Sequence, residues 1–206
     1  ARIERVALAY GTTVALRDVD LTVERGQVTV VMGRNGAGKS SLCRVLAGLT
    51  RPDAGSVDVD GVAVERARGP QRVALVAMVP QDHRVLLDGP TVERDLRAAE
   101  QRHGLARGAA EAILHELGSI DLLADPRDLS EGESLLAALA VVLCGSPQLL
   151  VFDEPTRGLD YDAKAGFARV VMARETPLSE IDLIMAIPRE NRPGIEVFVH
   201  GALCYS

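Results

Sequence analysis

Lysine is scarce in this chain, and no stripe of Lys and Arg runs along it; the formal net charge is −6. That balance argues against a nucleic-acid surface, which needs clustered positive charge to meet the phosphates. Long hydrophobic runs are missing too. The apolar stretch LLAALAVVL is far shorter than the roughly 20 residues that a membrane-spanning helix requires. Nothing has the make-up of a secretory leader. The three cysteines, Cys43, Cys144 and Cys204, are odd in number, scattered and set among apolar residues. They point to buried free thiols in a reducing compartment. The four histidines, His83, His103, His115 and His200, lack ligand spacing, so no metal centre held by protein side chains alone is expected. No internal repeat or low-complexity tract is visible. A soluble intracellular domain is the expectation from these absences. The first residue is Ala1 and not methionine, which suggests a piece of something longer.

What is present suits one α/β domain. Hydrophobic residues make up 47% of 206, enough for a real core. RIERVALAY and LRDVDLTV alternate apolar and polar residues, as half-buried strands do. QVTVVMG is a continuous apolar, β-branched run and predicts a buried parallel strand. A glycine-rich loop and a helix, KSSLCRVLAGL, follow it. SVDVDG reads as a short strand entering an Asp-Gly turn, and VALVAMVP as another strand. From Thr91 to about Leu123 the periodicity becomes helical, with Ile113, Leu114 and Leu117 on one face. QLLVFDEP predicts a further buried strand and YDAKAGFARVVMARE a helix; IDLIMAI, IEVFVH and ALCYS read as closing strands. Strands alternating with helices predict a parallel sheet wrapped by helices, with a helical insert in the middle.

The chemistry gathers at three places. GRNGAGKS, Gly33 to Ser40, fits G-x-x-x-x-G-K-[ST] between a predicted strand and a predicted helix. Its glycines let backbone amides close around a β-phosphate, Lys39 reaches the β- and γ-phosphates, and the Ser40 hydroxyl can ligate Mg²⁺. Asp153 ends a predicted buried strand, where open parallel sheets place ligand sites, and could hold that Mg²⁺ through its water shell. Glu154 follows, with the chemistry of a general base for an attacking water. Lastly, Ser130 and Glu133 in LSEGES form the pattern of a capping box opening a helix. Helix N-termini attract phosphate, yet Glu131 and Glu133 there would repel it.

In this order the motifs resemble those of the ATP-binding-cassette (ABC) ATPases over nearly the whole chain. The resemblance implies a P-loop NTPase core of mainly parallel sheet, an N-terminal antiparallel β part and an inserted helical subdomain. Residues 1–82 and 147–206 would form the nucleotide-binding core, and 83–146 the helical subdomain with the signature. Tyr10 would stack on adenine. Gly33, Arg34, Asn35, Gly36, Ala37, Gly38, Lys39, Ser40 and Ser41 would form the Walker A loop around ATP. MVPQD looks like the Q-loop, in which Gln81 would contact Mg²⁺ or the attacking water and sense a membrane partner. LLVFDEPT resembles Walker B, with Asp153 on Mg²⁺ and Glu154 as catalytic base, and GLD the D-loop, giving Asp160. LSEGE sits at the signature motif, which in this family caps the γ-phosphate of ATP held by a second, head-to-tail ATPase domain. Ser130, Gly132 and Glu133 would serve that trans site. Partners implied are that second domain and a transmembrane subunit docked at the Q-loop groove, with no nucleic acid. The implied place is the inner, cytoplasmic face of the cell membrane.

LSEGE together with DEPTRGLDY is similar to the second ATPase domain of fused energy-coupling-factor importers for vitamins or metal ions. Two features depart from the family. Glu131 replaces the usual first glycine of its motif, which is tolerable only if the side chain turns outward, toward an arginine. Pro188 stands where the family has its switch histidine, and proline can neither donate a hydrogen bond nor carry a proton. His200 lies too far along to replace it. The expectation is competent ATP binding with weakened hydrolysis in a transporter motor. The alternatives are a degenerate cassette acting as an ATP clamp and a non-transport member acting on ribosomes or DNA.

Overall fold

The computed structural model describes residues 1–153 and the strands 169–174 and 194–199. Strand β1 (Arg2–Tyr10) lies at the heart of an antiparallel sheet, paired with β2 (Thr13–Thr22) and with β4 (Ala54–Val59). The expected alternation is interrupted at Arg5 and Asp18, each with φ of 48°, so that Ile3, Val6 and Leu8 of β1 and Leu16, Val19 and Leu21 of β2 share one buried face. Asp60 and Gly61, with φ of 51° and 80°, turn β4 into β5 (Val62–Ala63) as the Asp-Gly pair predicts. The Gly61 amide donates to the Asp58 carboxylate at 2.7 Å, which closes the turn.

The second sheet is parallel and runs in the order β6-β7-β8-β3-β9 among the described residues. Its strands are β3 (Gln27–Met32), β6 (Val76–Val79), β7 (Leu149–Asp153), β8 (Arg169–Arg174) and β9 (Gly194–Val199). β3 and β7 are mostly apolar because both faces are covered: Val28, Val30, Val31, Leu150, Val151 and Phe152 are all buried, and Thr29 is buried among them. Helix α1 (Lys39–Leu46) follows β3 and packs Leu42, Cys43, Val45 and Leu46 into the core shared with the antiparallel sheet.

Two elements differ from expectation. Residues 169–174, RVVMAR, are strand β8, not the second half of a helix from Tyr161 to Glu175. A short run of β-branched and apolar residues fits a buried parallel strand as well as a helix face, and pairing with both β7 and β3 decides it. Helix α2 (Gly69–Leu75) takes the first part of the strand expected over 73–80, leaving β6 only Val76–Val79. Pro70 in its first turn presets the backbone for a helix start. The expected strand IDLIMAI lies outside the described residues.

Between β6 and β7 the chain builds a third layer from α3 (Val92–His103), α4 (Ala109–Leu117) and α5 (Glu131–Leu143). Thr91 caps α3 by accepting from the Arg94 amide, and Gly104, in the left-handed region, ends it. Leu96, Ala99, Leu114, Ala137 and Val141 form its own apolar cluster, with Ile113 and Leu117 packed at the edge. Leu135 and Leu139 of α5 point the other way, onto Val28, Val30, Val79 and Phe152 of the parallel sheet. The leucines of SLLAALA are therefore core, and α5 bridges the two layers. No described helix is long and apolar enough to cross a membrane.

Candidate functional site

The loop from Gly33 to Gly38 leaves the C-terminal end of β3 and turns into α1. Gly38 must be glycine on two counts. Its φ is 88°, and a Cβ there would sit 2.2 Å from the Ala15 carbonyl oxygen of β2. Gly36 also has a positive φ, of 81°, but open space around it. Lys39 is 5% exposed, and its Nζ donates to the carbonyls of Gly33 and Arg34 at 3.0 and 3.2 Å. The lysine thus folds back over its own loop. Arg34, Asn35 and Gly36 are exposed at the tip, while Gly33, Ala37, Ser40 and Ser41 are half-buried.

The strand end that carries Asp153 comes beside this loop. Ser40 Oγ donates to Asp153 Oδ1 at 2.8 Å, across 113 residues of sequence. Both line one cleft of about 1000 Å³, with Arg44, Gln81, Arg84 and Glu131 among the other walls. A hydroxyl, a buried carboxylate and an amide on one cleft are oxygen donors of the kind Mg²⁺ accepts. Beside them, a loop of amides at a helix N-terminus with a lysine suits phosphate. The residues present therefore fit a Mg-nucleotide. Tyr10, 49% exposed, ends β1 at the turn into β2, the strand that approaches Gly38. Glu154, Asp160, Pro188 and His200 lie outside the described residues.

The turn before α5 forms the expected capping box. Ser130 Oγ accepts from the Glu133 amide at 3.3 Å, and Glu133 Oε2 accepts from the Ser130 amide at 2.9 Å and from its hydroxyl at 2.6 Å. The Ser130 hydroxyl, and then its amide, hold the Glu133 carboxyl below the ordinary glutamate range. So Ser130, Gly132 and Glu133 stand together at one helix start. Within the chain the Ser130 side chain meets Glu133 rather than the loop of Lys39.

Glu131 turns toward an arginine, as its motif position demands, and that arginine is Arg84. Arg84 Nη2 lies 3.6 Å from Glu131 Oε2 and also donates to Leu129 O at 2.7 Å. His83, 1% exposed, reaches Ser134 Oγ at 2.8 Å from the same loop. Sequence reasoning did not single out Arg84 or His83. The signal available was their place, directly after Gln81 in QDHR.

Comparison with known proteins agrees with this geometry. The ABC transporter family profile matches residues 16–157, and a second, Peptidase family U32, matches residues 146–206. A Streptomyces avermitilis protein named as an ABC transporter ATP-binding protein is 46% identical over 176 residues, 84% of this chain and 31% of its own length. The energy-coupling factor transporter ATP-binding protein EcfA of Methanothermobacter thermautotrophicus is 35% identical over 170 residues, covering 78% of this chain and 54% of EcfA. The chain thus spans between a third and about half of those relatives. The solved structure of cbiO1 from Clostridium perfringens, part of the transporter complex cbiONQ, superposes with a TM-score of 0.73 at 25% identity. It covers 95% of this chain and 83% of its own. With a profile match over most of the chain on a P-loop core, the chain belongs to the ABC transporter ATPase family.

Proposed function

We propose that the chain is the ATP-driven motor of a membrane transporter, closing against a second ATPase domain on Mg-ATP and reopening on hydrolysis. The observation that carries this is the Ser40–Asp153 contact at 2.8 Å, which joins the phosphate loop to the Walker B strand in one Mg-nucleotide site. Mg²⁺, when bound, supplies charge neutralisation at the phosphates. The chain's own residues do the rest. Amides of Gly36 to Ser40 bind phosphate oxygens, and Lys39 exchanges its two carbonyl partners for them. Ser40, Asp153 and Gln81 hold the cation, Glu154 orients water and takes its proton, and Tyr10 stacks on the base. Ser130, Gly132 and Glu133 form the cap for ATP in the partner's site, and Asp160 of the D-loop would serve nucleotide binding.

The partner domain is a second copy or a homologous cassette, consistent with a relative of which this chain spans only 31%. The same cleft, on the side of exposed Leu49 and Val85, would receive a transmembrane subunit on the inner membrane face. The helical part over 83–146 and the core on either side of it are the units that would move. The motif resemblance to energy-coupling-factor importers favours import of a vitamin or metal ion, and likeness to an energy-coupling factor transporter ATP-binding protein supports that subfamily.

The rival reading, a degenerate clamp, rests on Glu131 and Pro188. Arg84 faces Glu131 at 3.6 Å, which counts against the first support. Pro188 lies beyond residue 157, where the ABC match ends, and inside the stretch matched by Peptidase family U32. The motor is the reading we carry. Mg-ATP turnover measured beside ATP binding, with the partner domain present and Glu154→Gln as control, tests it. Turnover abolished by Glu154→Gln is expected. Tight binding with no turnover in the unmodified protein would establish the clamp instead.

A further inference from the structure

The loop after Gln81 and the turn that opens α5 are tied together at points the motor mechanism does not use. Arg84 Nη1 donates to Pro126 O at 3.0 Å and Nη2 to Leu129 O at 2.7 Å, so one guanidinium spans the 3-10 turn delivering Ser130. The same guanidinium faces the Glu131 carboxylate at 3.6 Å. His83 stands behind them. Ser134 Oγ commits its hydrogen to Glu131 O at 3.0 Å, so His83 Nε2–H is the donor in the 2.8 Å contact to that hydroxyl. His83 Nε2 is also 3.9 Å from Glu131 Oε1.

We propose that Arg84 is a positioning residue for the N-terminus of α5: it fixes the Ser130 turn and draws the Glu131 carboxylate off the face that receives phosphate. This rests on the reading that the turn caps ATP in the partner's site. The side chains of Arg84 and Glu131 are 36% and 52% exposed, so their attraction adds little to fold stability. Its effect is on direction and local charge. A carboxylate at the first residue of a phosphate-capping helix opposes the positive end of the helix, and a guanidinium beside it restores the sign. Glycine at that position would need no such partner. Glu131 and Arg84 therefore act as a pair, and Arg84 is needed because Glu131 is charged. Since Arg84 follows Gln81 by three positions, movement of the Gln81 loop reaches Ser130 through the same side chain.

The test uses the intact protein with its partner domain. Mg-ATP-driven pairing is followed by light scattering, binding to the chain's own loop by a fluorescent ATP analogue, and folding by thermal melts. Arg84→Ala is expected to raise the Mg-ATP concentration needed for pairing by about tenfold with the analogue bound as tightly as before. Adding Glu131→Gly to Arg84→Ala should recover most of that loss, and Arg84→Lys should keep part of the function. If Arg84→Ala does not fold, Arg84→Lys compared with Arg84→Lys plus Glu131→Gln carries the same comparison. A pairing defect in Ser130→Ala with none in Arg84→Ala overturns the role of Arg84 alone, as does a double variant no better than the single. Pairing unaffected by Ser130→Ala overturns the phosphate-cap reading, and this role with it.

Discussion

Two glycines of one loop show how differently the same residue type can be required. Gly36 and Gly38 both hold a left-handed backbone, with φ of 81° and 88°. An alanine at Gly36 meets only that strain, about 1–2 kcal/mol, because nothing lies within 4 Å of its Cβ. At Gly38 the added carbon would stand 2.2 Å from the Ala15 carbonyl and 3.2 Å from Leu16 Cδ2, so β2 or the loop itself must move. Gly36→Ala should therefore weaken nucleotide binding by about thirtyfold at most, and Gly38→Ala by roughly tenfold beyond that. Equal losses in a fluorescent-nucleotide titration would show that the contact with β2 does not govern the loop. The loop itself was legible because its pattern is local, eight consecutive residues between a strand and a helix. Arg84 was not, since its partner Leu129 lies 45 positions away and no spacing rule links them.

At the scale of elements, α5 is the one on which several requirements meet. Its capping box was readable from Ser130 and Glu133 alone, and its leucines only in part. Whether the leucines after the box are buried or face a partner stayed open from the sequence, and the sheet decided that Leu135 and Leu139 face β3 and β7 and that Ala137 and Val141 face α3 and α4. β8 was misread for the converse reason: six residues are too few for periodicity to separate strand from helix when the deciding partners are distant. The box carries a pH signature. Hydrogen bonds from Ser130 favour ionised Glu133 in the folded state, so its pKa is lower there than in the unfolded chain, whose value is near 4.5. That contribution is complete above pH 4.5 and is lost as pH falls through the lower folded value. Ser130→Ala should thus lower the urea midpoint at neutral pH, and the gap from the unmodified protein should narrow under acid. A gap that stays constant from pH 7 to pH 3 would mean that Glu133 titrates alike in both states.

The whole molecule poses a question of belonging. β3, which feeds the phosphate loop, is flanked by β8 through Gln27↔Arg169 to Met32↔Arg174 and by β9 through Gln27↔Gly194 to Met32↔Val199. Both flanking strands fall in residues 146–206, the stretch that also matches Peptidase family U32, and both lie past the end of the ABC match. Among the described residues β9 is the edge strand of this sheet, and removing it would leave β3 at that edge. Val28, Val30 and Val31 are buried, so the new edge would be apolar, unpaired and prone to association. Ending the chain after residue 193 should then lower the melting temperature by at least about 5 °C, increase aggregation and weaken ATP binding, because the strand that aims Lys39 loses half its pairing. If the shortened protein melts and binds as before, the last strand is no part of the ATPase sheet, and residues beyond β7 owe more to the second match than to the first.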